Sequence, residues 1–230
     1  MRRKGEHMMG FLIYFMALSL IHLFFCYFEM RVLRMITKPL ILLSLSVFYA
    51  FHAKPVDPMV LIALICGLVG DVFLMLDDRF FLPGAFSFTV GHGFYIYAIC
   101  ARMQGDLKQH IITAAIALTA YIIIVGISSA KLEKHVENKS FKALMPTYLG
   151  IVAIVNVLAW VNLISRIASG EGAFYASLIL LGSMFFLTSD TILARAMFIK
   201  DVKRHNFPVM ITYISAQALL CFGFIGLGAA

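Results

Sequence analysis

Charge is what this sequence has least of. Only 31 of its 230 residues are Asp, Glu, Lys or Arg, and 62% are apolar. A soluble domain carries about a quarter charged residues, so this chain has the bilayer as its solvent. At about 20 apolar residues per spanning helix, eight helices would occupy roughly 160 positions and leave no room for a soluble domain. That excludes a nucleic-acid-binding module, a secreted disulfide scaffold and a single-span receptor. The net charge of +7 reads as loop Lys and Arg beside anionic headgroups, with no nucleic-acid partner implied.

Cysteine is scarce as well. Cys26, Cys66, Cys100 and Cys221 fall inside apolar stretches, with no CxxC pair and no histidine at zinc-site spacing, so they read as small packing residues. The sequence has no internal repeat, low-complexity tract or linker, and it reads as one domain over residues 1–230. After Met1-Arg2-Arg3-Lys4 the first apolar run ends without a small-residue cleavage site. It is expected to be a retained span rather than a signal peptide.

Eight apolar runs are present, at residues 10–28, 39–53, 59–76, 80–101, 111–130, 144–164, 173–196 and 207–228. None shows the ten-residue alternation of a barrel strand, and backbone groups in hydrocarbon must be bonded within their own segment. The expectation is an all-α, polytopic bundle of eight transmembrane helices joined by short loops. At 15 residues the second run would tilt little or thin the bilayer locally. Orientation stays open: Lys and Arg number 7 on the amino-terminal side and 12 on the other, whereas the basic cluster before the first span argues the reverse. Asn138-Lys139-Ser140 has the form of a glycosylation sequon, and its place in a Lys-rich loop beside the membrane reads as unused. Asp77-Asp78-Arg79 reads as a solvated turn.

Ionisable groups inside spans cost about 2.5–3.5 kcal/mol each on the insertion scale, so each one is a functional candidate. Asp71 lies in the third run, after two glycines one turn apart that permit close helix approach. Asp190, preceded by Ser189, lies near the end of the seventh. The plainer reading of each is a structural carboxylate tied to Lys38, Arg195 or a backbone amine. His22 and His92 are the histidines well inside the runs, His52 falling at the end of the second; Gly84, Ser87, Gly91 and Tyr95 share a narrow face beside His92. Tyr213 and Gln217, spaced i, i+4, share a face of the eighth run; there the plain reading is hydrogen-bonding glue between helices.

Depth joins these residues without any homologue. Odd-numbered spans run away from the amino-terminal side, so Asp71 and Asp190 both approach the opposite side. Tyr213, early in the returning eighth span, and Lys38, at the start of the second, lie at a similar level. Four polar residues from four helices therefore converge on one half of the membrane, with His92 and Gln217 nearer the midplane. The arrangement predicts a pocket open to one leaflet, with a few aromatic or methionine side chains lining an acyl tunnel.

At these residues the sequence resembles the YhhN-like lysoplasmalogenases, membrane enzymes that cut the vinyl ether of lysoplasmalogens. The resemblance rests on Lys38-Pro39, Gly70-Asp71 with Leu74, the Phe88 to Tyr95 stretch around Gly91-His92, Ser189-Asp190 with Leu193-Ala194, and Tyr213 with Gln217. It implies a lysophospholipid substrate with a choline or ethanolamine headgroup, and no cofactor. It also implies a multi-pass integral membrane location, the endoplasmic reticulum in a eukaryote or the inner membrane in a bacterium.

Hydrolysis of a vinyl ether requires protonation of an alkenyl carbon, passage through an oxocarbenium-like cation, and attack by water. By analogy with glycosidases, a protonated carboxyl and an ionised partner serve this chemistry. The expected pair is Asp71 and Asp190, with the acid unassigned. His92, Tyr213, Gln217 and Ser189 would orient water, the carboxylates or substrate, and Lys38 would meet the lipid phosphate. The alternative is a proton-coupled transporter of a lipid or small molecule with the two aspartates as relay; the chain shows no inverted repeat or paired broken spans to support it. A zinc-dependent amidase would need about three histidines at site depth, where His92 alone qualifies, so no metal is expected.

Overall fold

The computed structural model describes residues 2–76, 78–133, 139–198 and 204–229. Asp77 and the sequon's Asn138 lie outside the described residues. The described residues form eight α-helices and no strand: α1 (Arg2–Tyr27), α2 (Arg31–His52), α3 (Pro58–Met75), α4 (Phe81–Cys100), α5 (Leu107–Glu133), α6 (Lys139–Ser169), α7 (Ala173–Phe198) and α8 (Asn206–Ala229). A short 3-10 turn, Asp78–Phe80, leads into α4.

Neighbour packing runs α2, α3, α4, α6, α7, α8 and back to α2, closing a six-helix ring. Helix α1 lies against α2 and α8, and α5 lies outside on α6. The outer position of α5 suits its sequence, since Ile111, Ile112, Ile116, Ile122, Ile123 and Ile124 are all exposed. In a soluble protein such a stripe would be a liability; here it is lipid-facing surface. All four cysteines are free thiols.

Among the described residues seven helices are long and apolar enough to cross a membrane, which makes this a multi-pass membrane protein; α4 falls short of that mark. Its apolar run is diluted by Gly84, Gly91, His92 and Tyr95, all buried. These residues serve contact with neighbouring helices rather than lipid. A Cβ on Gly91 would sit 3.2 Å from both the Ala63 carbonyl oxygen and the Cys66 Cβ of α3. Between these helices Ser87 Oγ donates to the Cys66 carbonyl at 2.7 Å. Small residues of this kind let membrane helices approach closely and exchange hydrogen bonds. Gly91→Val therefore overpacks a backbone contact that cannot give way, and should cost about 1–3 kcal/mol. Gly93, where an added Cβ would meet nothing within 4 Å, is the control. A thermal melt of purified protein should fall for Gly91→Val and hold for Gly93→Ala; equal melts would remove close α3–α4 packing as a source of stability.

Helix α2 begins at Arg31, eight residues before the expected start, and carries Pro39 inside it. Hydropathy ended the run at Pro39 because Arg31, Arg34 and Lys38 are charged, yet long basic side chains extend a helix past its apolar stretch. At 22 residues the helix spans without thinning the bilayer. The far end of the bundle is pinned by Asp57. Its Oδ1 accepts from the Met59 amide at 2.7 Å, capping α3. Its Oδ2 accepts from Arg102 Nη1 at 2.6 Å, and that nitrogen also donates to the Ala98 carbonyl near the end of α4. The Arg166 guanidinium then donates to the Arg102 carbonyl at 2.8 Å. With one end of the ring fastened, the cavity described next occupies the other.

Candidate functional site

An open cavity of about 770 Å³ is lined from α2, α3, α4, α6, α7 and α8, every helix of the ring. Its polar lining is Lys38, Asp71, Tyr148, Ser189, Asp190 and Tyr213. Much of the remaining wall is apolar, with Leu74, Phe81, Phe88, Leu193 and Met197 among its members. On each helix these residues belong to the half nearest the side opposite the amino terminus, as the depth argument required. A carboxylate pair in an apolar slot is suited to proton chemistry on a long-chain substrate.

Each carboxylate is held by a tyrosine. Tyr213 donates its hydroxyl to Asp71 Oδ2 at 2.8 Å, and Tyr148 donates to Asp190 Oδ2 at 2.7 Å. The two aspartates differ in what else they meet. Lys38 Nζ stands 2.9 Å from Asp71 Oδ1 and 5.6 Å above the Tyr213 ring. Asp71 is thus one member of a buried ion pair, whereas Asp190 is met by a neutral phenol. The structural tie anticipated between Asp71 and Lys38 is present, and it leaves the carboxylate on the cavity wall.

Five of the seven residues read from the sequence line the cavity: Lys38, Asp71, Ser189, Asp190 and Tyr213. Gln217 and His92 are buried behind it. Gln217 Nε2 donates to the Tyr213 oxygen at 3.3 Å, and the Gln217 carbonyl oxygen accepts from Tyr95 at 3.3 Å. The chain Tyr95, Gln217, Tyr213, Asp71 runs from mid-bundle to the site, and it fixes the Tyr213 hydroxyl proton on Asp71. His92 Nδ1 lies 2.7 Å from the Phe88 carbonyl of its own helix. A carbonyl only accepts, so Nδ1 carries hydrogen. Its ring packs edge-on against Phe186 at 4.6 Å between centroids and against Tyr148 at 6.2 Å. His92 thus supports the aromatic wall from behind. His22 is likewise occupied, 2.6 Å from the Thr37 hydroxyl across the α1–α2 contact.

Ser189 Oγ donates to the Val209 carbonyl at 3.0 Å and ties α7 to α8 beside Asp190. Gly70 explains the residue before Asp71, since any Cβ there would lie 2.7 Å from the Phe88 ring. The absence of a side chain lets Phe88 line the cavity. Tyr148 is the residue that sequence reading missed. It stands early in the returning sixth span, just as Tyr213 stands early in the returning eighth, so the same depth argument was sufficient to find it. Among the described residues no three His, Cys, Asp or Glu side chains gather where they could hold a metal ion.

The family model described as the YhhN family matches residues 33–224, a stretch that holds every lining residue of the cavity. Human lysoplasmalogenase TMEM86A is 25% identical over 169 residues, which are 73% of this chain and 65% of the relative. The chain therefore spans just under two thirds of that protein's length. No solved structure matches the chain.

Proposed function

The chain belongs to the YhhN family, and from that premise we propose that it hydrolyses the vinyl ether of lysoplasmalogens to a fatty aldehyde and a glycerophospho-headgroup compound. The observation that carries this reading is the pair of aspartates, each bonded to a tyrosine, on the wall of one largely apolar cavity. Support also comes from the activity for which the human relative is named. In the same proposal α4 is the eighth transmembrane helix, its polar face accommodated by α3 and α6.

The unequal surroundings support different roles for the two aspartates. With an ammonium group at 2.9 Å, Asp71 is the ionised partner; Asp190, bonded to a phenol, carries the proton. Asp190 delivers it to the alkenyl carbon one bond away from the ether-bearing carbon. The double-bond electrons form the new C–H bond, and an oxocarbenium ion remains. The Asp71 carboxylate stabilises that cation electrostatically. Water adds to the ether-bearing carbon and returns a proton to Asp190. The resulting hemiacetal breaks its C–O bond to glycerol, whose oxygen takes up a proton as the aldehyde forms. Lys38 keeps Asp71 charged, and Tyr213 and Tyr148 hold the carboxyl groups in place. The alkenyl chain lies along Leu74, Phe81, Leu193 and Met197.

Purified protein incubated with alkenyl-lysophosphoethanolamine or alkenyl-lysophosphocholine should release long-chain aldehyde, followed by mass spectrometry after trapping. Intact substrate over many enzyme equivalents, in detergent and in vesicles, would refute the assignment.

A further inference from the structure

A lysolipid brings a phosphate with it, and the basic groups at the open end of the bundle are not equally free to receive one. Lys38 is committed to Asp71 at 2.9 Å. Arg204 lies 4.7 Å over the Tyr27 ring and donates to its hydroxyl at 3.3 Å. Arg34 is different. It is half-buried, and among the described residues its Nε is buried without a hydrogen-bond partner. Buried donors are nearly always satisfied, and a guanidinium is a planar fork of donors with no acceptor of its own. An Nε left unmatched one turn from the cavity-lining Lys38 has the chemistry of an anion site.

Its place on α2 says which anion. Arg34 precedes Lys38 by four residues and so shares its face, which continues into the buried Ile41, Leu42 and Leu45 of the ring interior. The rise between Arg34 and Lys38 is about 6 Å along the helix axis, toward the membrane edge. That displacement suits the glycerol backbone that separates a vinyl ether from the phosphate of the same molecule. We propose that Arg34 binds the phosphate of the lysolipid and sets the depth at which the vinyl ether meets Asp190. The proposal rests on the substrate reading above, and it gives Lys38 the single task of holding Asp71. Arginine suits the role because its fork engages two phosphate oxygens at once.

The test uses ligands that are not cleaved, so it is independent of turnover. Binding of a saturated alkyl-ether lysophosphoethanolamine, and of the alkylglycerol that lacks its phosphate, is measured by calorimetry on wild type, Arg34→Gln and Arg34→Lys in detergent. Arg34→Gln should weaken the phosphate-bearing ligand about tenfold or more, the worth of one charge-assisted hydrogen bond. The alkylglycerol should bind all three proteins equally, and Arg34→Lys should fall between. Equal loss of both ligands would reveal a packing role and overturn the proposal, as would no loss of either. Inorganic phosphate is the third ligand. If it binds wild type as tightly as the lysolipid and Arg34→Gln abolishes that binding, the site serves free phosphate and the headgroup assignment is wrong. Selective loss of the phosphate-bearing ligand in a protein that fails to release aldehyde would leave the phosphate site standing and remove only the proposed reaction.

Discussion

Asp190→Asn should stop aldehyde release and leave the protein as stable as before. The amide keeps the shape of the carboxyl and still offers an oxygen to the Tyr148 hydroxyl, which now donates at 2.7 Å. What it loses is the proton. General acid catalysis contributes about 10²–10⁴-fold, and carbon protonation has no substitute donor in this scheme, so the loss should reach at least that range. Asp71→Asn should also suppress turnover, but at a cost to the fold. Breaking a buried ion pair from one side costs about 3–5 kcal/mol, and Lys38 would be left without its partner in a largely buried position. Rates of aldehyde release and thermal melts on the same preparations separate the two cases. An Asp190→Asn protein that works at wild-type rate would sink the two-carboxylate scheme. An Asp71→Asn protein that melts with wild type would show that the Lys38 pair contributes nothing to stability.

Saturating one bond should have an effect of comparable size. An alkyl-ether lysolipid matches the proposed alkenyl substrate in headgroup, chain and length, and it should enter the same slot, whose wall includes Leu74, Phe81, Leu193 and Met197. It offers no carbon that can be protonated to an oxocarbenium ion. It should therefore bind, compete with the alkenyl lipid, and remain intact over incubations that consume the alkenyl lipid completely. Cleavage of both ethers at similar rates would mean that the reaction does not begin at the double bond.

The depth of the site was legible in the sequence because each span crosses the same thickness. Counting along alternating helices placed Asp71, Asp190, Tyr213 and Lys38 at one level, and the cavity gathers all four. Azimuth was not legible in the same way. Gln217 and His92 lie at suitable heights, yet they sit behind Tyr213 and Phe186, because rotation of a helix about its axis is fixed by packing that hydropathy does not encode. Tyr148 stands at the right height and was still missed, because a tyrosine near a span end equally suits an interfacial anchor until Asp190 is seen across from it. Helix limits failed where charge and conformation part company, as at α2, which carries its basic residues through Pro39. The weak apolar character of α4 has a cause visible after folding, since Gly84, Gly91, Ser87 and His92 face neighbouring helices instead of lipid.

The position of the incoming oxygen tests the central claim most directly. Hydrolysis of alkenyl-lysophosphoethanolamine is run in water enriched in heavy oxygen, with the aldehyde reduced to alcohol as it forms so that exchange is arrested. Both products are then weighed by mass spectrometry. Protonation of the alkene by Asp190 followed by water attack on the ether-bearing carbon places the heavy oxygen in the fatty alcohol and leaves the glycerophosphoethanolamine unlabelled. Heavy oxygen in the glycerol hydroxyl, which does not exchange with solvent, would mean that water attacks the glycerol carbon, and the proposed mechanism would be wrong.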